Sequence, residues 1–214
     1  MIILSTAYFP NIQYTSKLIS GQEVFIEAFE NFQKQSYRNR CEILSANGKL
    51  SLFVPVEKGK DQKTSIKDVR IDYQTEWQKQ HLKSIESAYS SSPFYEYIID
   101  DFLFVYNQKE KYLFDLNLKI LEQIKDYLQI DKEILLTIDY NEDRGENDYR
   151  NIIHPKSKMQ KQDDSFTSKP YYQTFGDKFD FIPNLSIIDL LFNEGPRAKE
   201  IINRCINKNL PTIK

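Results

Sequence analysis

The apolar positions of the chain form short clusters, and their spacing alternates between the patterns of strands and helices. Two uninterrupted apolar runs, residues 2–4 and 24–26, are typical of strands buried on both faces of a parallel sheet. Between them, residues 11–20 carry apolar positions at helical spacing and end before a glycine. This order predicts a βαβ opening, in which ligands bind at the carboxyl ends of the strands. Tyr8, Glu27 and Glu30 are expected at that end.

Asn47 and Gly48 lie between two further apolar runs. Asn-Gly is the strongest short signal for a β-hairpin, because both residues tolerate a positive φ. The sequence therefore predicts an antiparallel hairpin at about residues 41–54.

The second half of the chain has mainly helical patterns. Thr75 and Gln78 have the spacing of a capping box, which predicts that a helix begins there. The predicted helices cover about residues 75–89, 93–102, 113–128, 186–192 and 196–206, and short strands are predicted at 69–71 and 133–139. The expected fold class is α/β, as a single domain over residues 1–214 with a central mixed sheet, the hairpin and a helical C-terminal half.

Residues 141–169 are dense in polar and charged side chains, and we call this stretch the excursion. Long loops in compact domains are often functional, so its basic residues are candidates for contact with an anionic substrate. These are Arg144, Arg150, His154, Lys156 and Lys158. The alternative interpretation is a solvated loop without a role.

Composition limits the classes of partner. A chain of 214 residues with 40% apolar content can bury one good core, which favours one domain. The net charge of −2 and the pI of about 5.8 provide no general attraction to nucleic acid or acidic membranes. No apolar run approaches the roughly 20 residues that a transmembrane helix needs.

Cysteine and histidine are scarce, which argues against a metal centre built from them. Cys41 and Cys205 are far apart in the sequence, and the only histidines are His81 and His154. This usage favours a reducing compartment, and the opening residues lack a signal-peptide pattern, so a cytoplasmic protein is expected. The sequence identifies no cofactor, and a carboxylate-bound Mg²⁺ stays open.

Three cations surround Tyr37 where the hairpin begins: Lys34, Arg38 and Arg40. Arginine side chains bind phosphate and carboxylate through forked donors, and residues 38 and 40 share one face of an extended segment. Asn39 points the other way. The cluster predicts an anion site, although solvated surface cations are the alternative interpretation.

His81 lies on one face of a predicted helix with Trp77. An imidazole titrates near neutral pH, so His81 is a candidate general base, but a lone histidine beside tryptophan is equally typical of a packed core. Asn117, in the first turn of a later helix, is a candidate ligand contact. Asp189 lies within an apolar segment, so we expect a buried partner for it among Arg38, Arg40 and Arg150.

Several motifs spread along the chain resemble one family. They are Tyr8-Phe9-Pro10, residues 33–40, Asn47-Gly48 with Val54-Pro55-Val56, Trp77 with His81, Tyr89 with Ser92-Pro93-Phe94, Leu116-Asn117, residues 181–192, and Gly195-Pro196. Over nearly its whole length the chain resembles the WbqC-like family, found among bacterial surface-polysaccharide (O-antigen) gene sets.

The resemblance implies a place in surface-polysaccharide biosynthesis but no particular reaction. The first hypothesis is a transferase that acts on a nucleotide-linked or lipid-linked sugar. Lys34, Arg38 and Arg40 would hold the phosphates, and His81 would be the general base. Tyr8, Tyr37 and Trp77 would line the pocket, with Asn39 and Asn117 as further contacts. The alternative is a non-catalytic binding or scaffold protein of an envelope assembly pathway.

Overall fold

The parallel sheet is short and is formed by the two apolar runs at the start of the chain and a third strand. The computed structural model describes residues 1–57, 63–142, 145–156 and 158–207. Strand β1 (Ile2–Ser5) pairs in parallel with β2 (Val24–Glu27), and helix α1 (Ile12–Ile19) connects them. A later strand, Ile134–Leu136, pairs in parallel with the other edge of β2. The predicted βαβ opening is confirmed.

The predicted hairpin forms a second sheet of its own. Strand β3 (Arg40–Ser45) pairs with β4 (Gly48–Phe53), and Arg40 lies opposite Phe53. Gly48 adopts a φ of 96°, as a turn glycine does, but Asn47 is not in the left-handed region. In chain order, the third strand of the parallel sheet, Ile134–Leu136, is β5.

All but one of the described α-helices lie after the hairpin. They are α2 (Trp77–Tyr89), α3 (Tyr95–Phe102), α4 (Phe104–Asn107), α5 (Leu113–Tyr127), α6 (Gly176–Phe179), α7 (Ile187–Glu194) and α8 (Ala198–Cys205). One apolar core extends from β1 to α8. The α/β fold class is confirmed.

Two local predictions were wrong. The capping box at the start of α2 does not form, because Gln78 Nε2 donates to the carbonyls of Val105 and Gln108 instead. The predicted strand at residues 69–71 is reduced to single bridges that Arg70 and Ile71 make with separate segments.

The described part of the excursion contains no helix or long strand, yet it is tied to the sheet. The amide of Ile3 donates to Asn147 over 3.0 Å, and Tyr149 donates back to Ile3 over 2.9 Å. Tyr149, Ile153 and His154 are buried. The excursion therefore covers the outer edge of β1. Among the described residues, no helix has the length and apolar character needed to cross a bilayer.

Candidate functional site

The carboxyl ends of the three parallel strands lie at one edge of the sheet, where the sequence places several polar side chains. Ser5 ends β1 and lies opposite Glu27, the last residue of β2. Thr137 follows β5, and its hydroxyl donates to Glu27 Oε1 over 2.8 Å. Polar side chains therefore lie at the edge of the sheet where the sequence predicts ligand binding.

Arg38 reaches this edge, but its charge is already paired. Its Nε donates to Glu30 Oε1 over 2.7 Å, and its Nη2 contacts Glu30 Oε2 at 2.5 Å and the Ser5 hydroxyl at 2.7 Å. The side chain is buried, and the void beside it is about 10 Å³, space for about one water molecule. In this geometry Arg38 fixes the loop before the hairpin rather than contacting a phosphate.

Arg40 has more freedom to bind an anion. Its Nε is buried without a hydrogen-bond partner, and it forms no ion pair within the described part of the chain. Its guanidinium lies over the ring of Phe53, with Cζ 5.3 Å from the ring centroid. Lys34 is exposed and forms no hydrogen bond with a described residue. Of the three predicted cations, Arg40 is the one with a buried donor left without a partner.

Two asparagines hold the start of the hairpin through their amide hydrogens. Asn39 Nδ2 donates to the carbonyl of Val54 over 2.9 Å, and Asn117 Nδ2 donates to the carbonyl of Arg38 over 2.8 Å. Their Oδ1 atoms are buried without partners. The contacts made by both side chains are internal.

Tyr8, Trp77 and His81 form an aromatic cluster inside the core. The Tyr8 hydroxyl lies 3.0 Å from His81 Nδ1, and the Trp77 and His81 ring centroids are 5.1 Å apart. Burial lowers the pKa of His81 to about 4, and a hydrogen bond with the Phe53 backbone opposes this shift. His81 is 5% exposed and has partners for both ring nitrogens. Its catalytic role stays a prediction, and this geometry favours a packed core histidine.

The second histidine, His154, lies within the electrostatic influence of Arg40. Its Nδ1 accepts the backbone N–H of Lys156 over 3.0 Å, so the neutral ring carries its hydrogen on Nε2. The pKa of His154 is lowered, first by burial and further by the charges of Arg40, Arg38 and Lys156. We call Arg40, His154 and Lys156 the cationic edge. His154 is a neutral hydrogen-bond donor there.

The cationic edge adjoins a cavity of about 470 Å³, which we call the polar cavity. Separate segments build it: α1, the hairpin with the loop before it, the excursion and the loop before α7. Its walls include Gln13, Tyr37, Glu42, Lys49, His154 and Asn184. Tyr37 and His154 are among the residues singled out from the sequence, but Gln13, Glu42 and Asn184 are not. Alternation along β3 could have suggested Glu42, whereas nothing local distinguishes Gln13.

The other predicted contact residues of the excursion have varied positions. Arg150 Nη1 pairs with Glu27 over 3.0 Å, and its Nε donates to Asp148 over 2.9 Å. This buried guanidinium therefore holds the excursion against the end of β2. Lys156 extends its Nζ to the side-chain oxygen of Gln35. Lys158 is exposed. Arg144 lies outside the described residues.

The prediction that an arginine pairs with Asp189 was wrong. Two phenols hold this fully buried carboxylate: Tyr89 donates to Oδ2 over 2.6 Å, and Tyr171 donates to Oδ1 over 2.5 Å. Burial raises the pKa of Asp189 to about 6, although the phenol hydrogen bonds oppose the rise. Tyrosine hydroxyls satisfy the carboxylate without adding a second buried charge.

Among the described residues, no group of three or more His, Cys, Asp or Glu side chains is arranged to hold a metal ion. Both cysteines are buried and unpaired. The cationic edge itself presents a guanidinium, an imidazole N–H and an ammonium group, which are donors suited to an anion.

Comparison with known proteins places the chain in a family. The model of the WbqC-like protein family matches residues 6–163 and 158–201. The chain belongs to the WbqC-like family.

A curated relative extends over almost the same length. Uncharacterized protein Rv1507c of Mycobacterium tuberculosis is 25% identical over 229 aligned residues, which cover 95% of this chain and 97% of that protein. No solved structure gives a significant match. The described geometry is therefore the basis for any functional proposal.

Proposed function

We propose that this WbqC-like protein is a cytoplasmic transferase of bacterial surface-polysaccharide biosynthesis, acting on a nucleotide-linked or lipid-linked sugar. The observation that carries the proposal is Arg40, whose buried Nε lacks a hydrogen-bond partner and whose charge acts on His154. Both substrate types contain a sugar attached to phosphate, the group that this donor set fits. The two unpaired cysteines support the proposed compartment.

Each residue of the cationic edge has a role in binding. Arg40 supplies charge and forked donors, while His154 donates Nε2–H without adding a charge. Lys156 is exposed and contributes long-range attraction to the phosphate. His154 Nδ1 accepts the backbone N–H of Lys156, so this ring contributes as a donor through Nε2, while the general-base role of His81 stays a prediction.

Glu42 is the proton acceptor in this proposal. It lines the polar cavity, and its Oε2 pairs with Lys49 over 3.0 Å, whereas Oε1 forms no hydrogen bond with a described residue. A carboxylate within reach of an acceptor hydroxyl removes its proton as the new bond to the transferred group forms. The leaving phosphate stays on the cationic edge.

The binding part of the proposal is tested by thermal unfolding with a panel of nucleoside diphosphate sugars and lipid-linked sugar phosphates. A ligand at about 100 times its Kd stabilises the folded state by about 2.7 kcal/mol. Arg40→Gln should abolish the stabilisation. Arg204→Gln, an exposed arginine of α8 with the same charge change, should retain it. No stabilisation by any member of the panel would contradict the proposal.

The chemical part is tested with the ligand that binds. Glu42→Gln should leave its affinity nearly unchanged and reduce group transfer by at least about 100-fold, the usual scale of general-base catalysis. Transfer by the variant at the wild-type rate would remove Glu42 from the mechanism.

One observation favours a non-catalytic alternative, a binding or scaffold protein of an envelope assembly pathway. Both imidazoles have Nδ1 in a hydrogen bond with another protein group. Tight binding of a sugar phosphate without turnover of any acceptor would select this alternative.

A further inference from the structure

The polar cavity has the dimensions of a small-molecule site and walls of mixed chemistry. Its volume of about 470 Å³ falls within the ~300–1,000 Å³ range of such sites. The carboxylates on its walls are already neutralised, Glu42 by Lys49 and Asp163 by Lys17, whose Nζ lies 2.6 Å from Asp163. A neutral, hydroxyl-rich group fits this environment better than an additional charge does.

The hydrogen-bonding groups of one wall are held in fixed positions. Asn184 Oδ1 accepts the backbone N–H of Gln13 over 2.9 Å, and Asn184 Nδ2 donates to Gln13 Oε1 over 3.1 Å. Gln13 Nε2 in turn donates to Asp163 over 2.8 Å. Asn184 Oδ1 and Gln13 Oε1 each have a second lone pair for a ligand hydroxyl, whereas both oxygens of Asp163 are already occupied by Gln13, Lys17 and Ser165. The wall is therefore preorganised for hydroxyl groups.

Other walls present apolar faces. Tyr37, Phe166, Pro155 and Pro183 line the same cavity. A pyranose ring combines hydroxyl groups at its rim with C–H faces, so it matches both kinds of wall. Flat apolar surfaces also exclude water from the hydrogen bonds beside them.

We propose that the polar cavity binds one sugar residue whose phosphate lies on the cationic edge, with Asn184 and Gln13 selecting among sugars by their hydroxyl groups. This inference rests on the proposed function and assigns it a specificity site. His154 lines the cavity and belongs to the cationic edge, which makes the two regions continuous.

Calorimetric titration with three probes separates the two regions: inorganic phosphate for the edge, methyl glycosides for the cavity and hexose 1-phosphates for both. At least one hexose 1-phosphate should bind about tenfold or more tightly than phosphate, the contribution of one or two hydrogen bonds. The same comparison with a nucleoside diphosphate sugar and a lipid-linked sugar diphosphate in micelles distinguishes the two carriers.

Asn184→Gly is the matched variant, because Asn184 has a φ of 57° that glycine adopts without strain. It should remove the advantage of the hexose phosphate and leave phosphate affinity within about twofold. Ser168→Tyr, a second variant that fills the cavity from a side chain without hydrogen bonds to described residues, should do the same. Arg40→Gln should weaken phosphate and hexose phosphate alike.

Three outcomes would overturn the inference. If phosphate binds but no hexose phosphate binds more tightly, the cavity is not a sugar site, while the anion site of the proposed function remains. If the sugar advantage persists in both cavity variants, the sugar lies elsewhere and the transferase proposal still stands. If no phosphate-bearing probe binds, both proposals fail.

Discussion

The hydroxyl of Tyr8 and Nδ1 of His81 lie 3.0 Å apart inside the core, although 73 residues separate them in the sequence. The contact joins the loop after β1 to α2. Because burial disfavours the charged imidazolium, the neutral form of His81 is the folded form, and protonation opposes the fold.

The first prediction concerns the pH dependence that this contact creates. The pKa of His81 is about 4 in the folded chain and 6.5 in the unfolded chain, so the unfolded state binds more protons between these values. The contribution of His81 to the free energy of unfolding should fall by on the order of 3 kcal/mol as the pH decreases from 6.5 to 4.

The measurement is urea denaturation from pH 4 to pH 7 for the wild type and His81→Gln, with the exposed Lys83→Gln on the same helix as the control. The difference between wild type and His81→Gln should shrink toward acid pH. A difference independent of pH would mean that the imidazole is accessible and titrates normally.

The second prediction has the opposite sign and concerns Asp189. Its pKa is raised from 3.8 to about 6 by burial, so the folded state binds more protons than the unfolded state between these values. Its contribution to stability should be complete below pH 3.8 and decline by on the order of 3 kcal/mol by pH 6. Asp189→Asn should lose this decline in the same urea series. If the variant follows the wild-type profile, the carboxylate is ionised without cost in the core.

The third prediction concerns the buried ion pair of Arg38 and Glu30. Glu30→Gln leaves a buried guanidinium without its countercharge and should destabilise the fold by about 3–5 kcal/mol. Glu76→Gln, which breaks the exposed pair of Glu76 and Lys79, should cost less than about 1 kcal/mol. Equal losses in the two variants, measured by urea denaturation, would show that Arg38 is solvated.

The fourth prediction concerns Gly195, which ends α7 with a φ of 52°. A Cβ at this position would lie 2.5 Å from the ring of Phe94, and the left-handed conformation adds strain. Gly195→Ala should therefore lower the free energy of unfolding by about 2–4 kcal/mol. Gly21→Ala is the control, because no atom lies within 4 Å of the place that the added methyl group would take, and the effect should stay within about 0.5 kcal/mol. Equal melting temperatures for the two variants would contradict this account.

Local patterns were sufficient to predict most of the fold. The buried strands β1 and β2, the hairpin and the helix at residues 113–127 all follow from periodicity or turn chemistry, which act over a few residues. The predicted capping box does not form because the Gln78 side chain donates to two carbonyls about 30 residues away. This tertiary contact replaces the local one.

The site was less predictable, because its parts come from distant segments. The cluster of cations before the hairpin was visible in the sequence, but the pairing of Arg38 with Glu30 left Arg40 as the available anion ligand. His154 joins it only because the excursion folds back onto the sheet. Asp189 shows the same limit, since its partner Tyr89 lies 100 residues away.

The backbone hydrogen bonds between Ile3 and the excursion have a consequence for protein engineering. They occupy the outer side of β1, which would otherwise present unpaired amides and carbonyls to other molecules. Replacing the excursion with a short Gly-Ser linker should therefore leave β1 as an unpaired edge strand. The shortened protein should aggregate when it is concentrated, even if the remaining core folds.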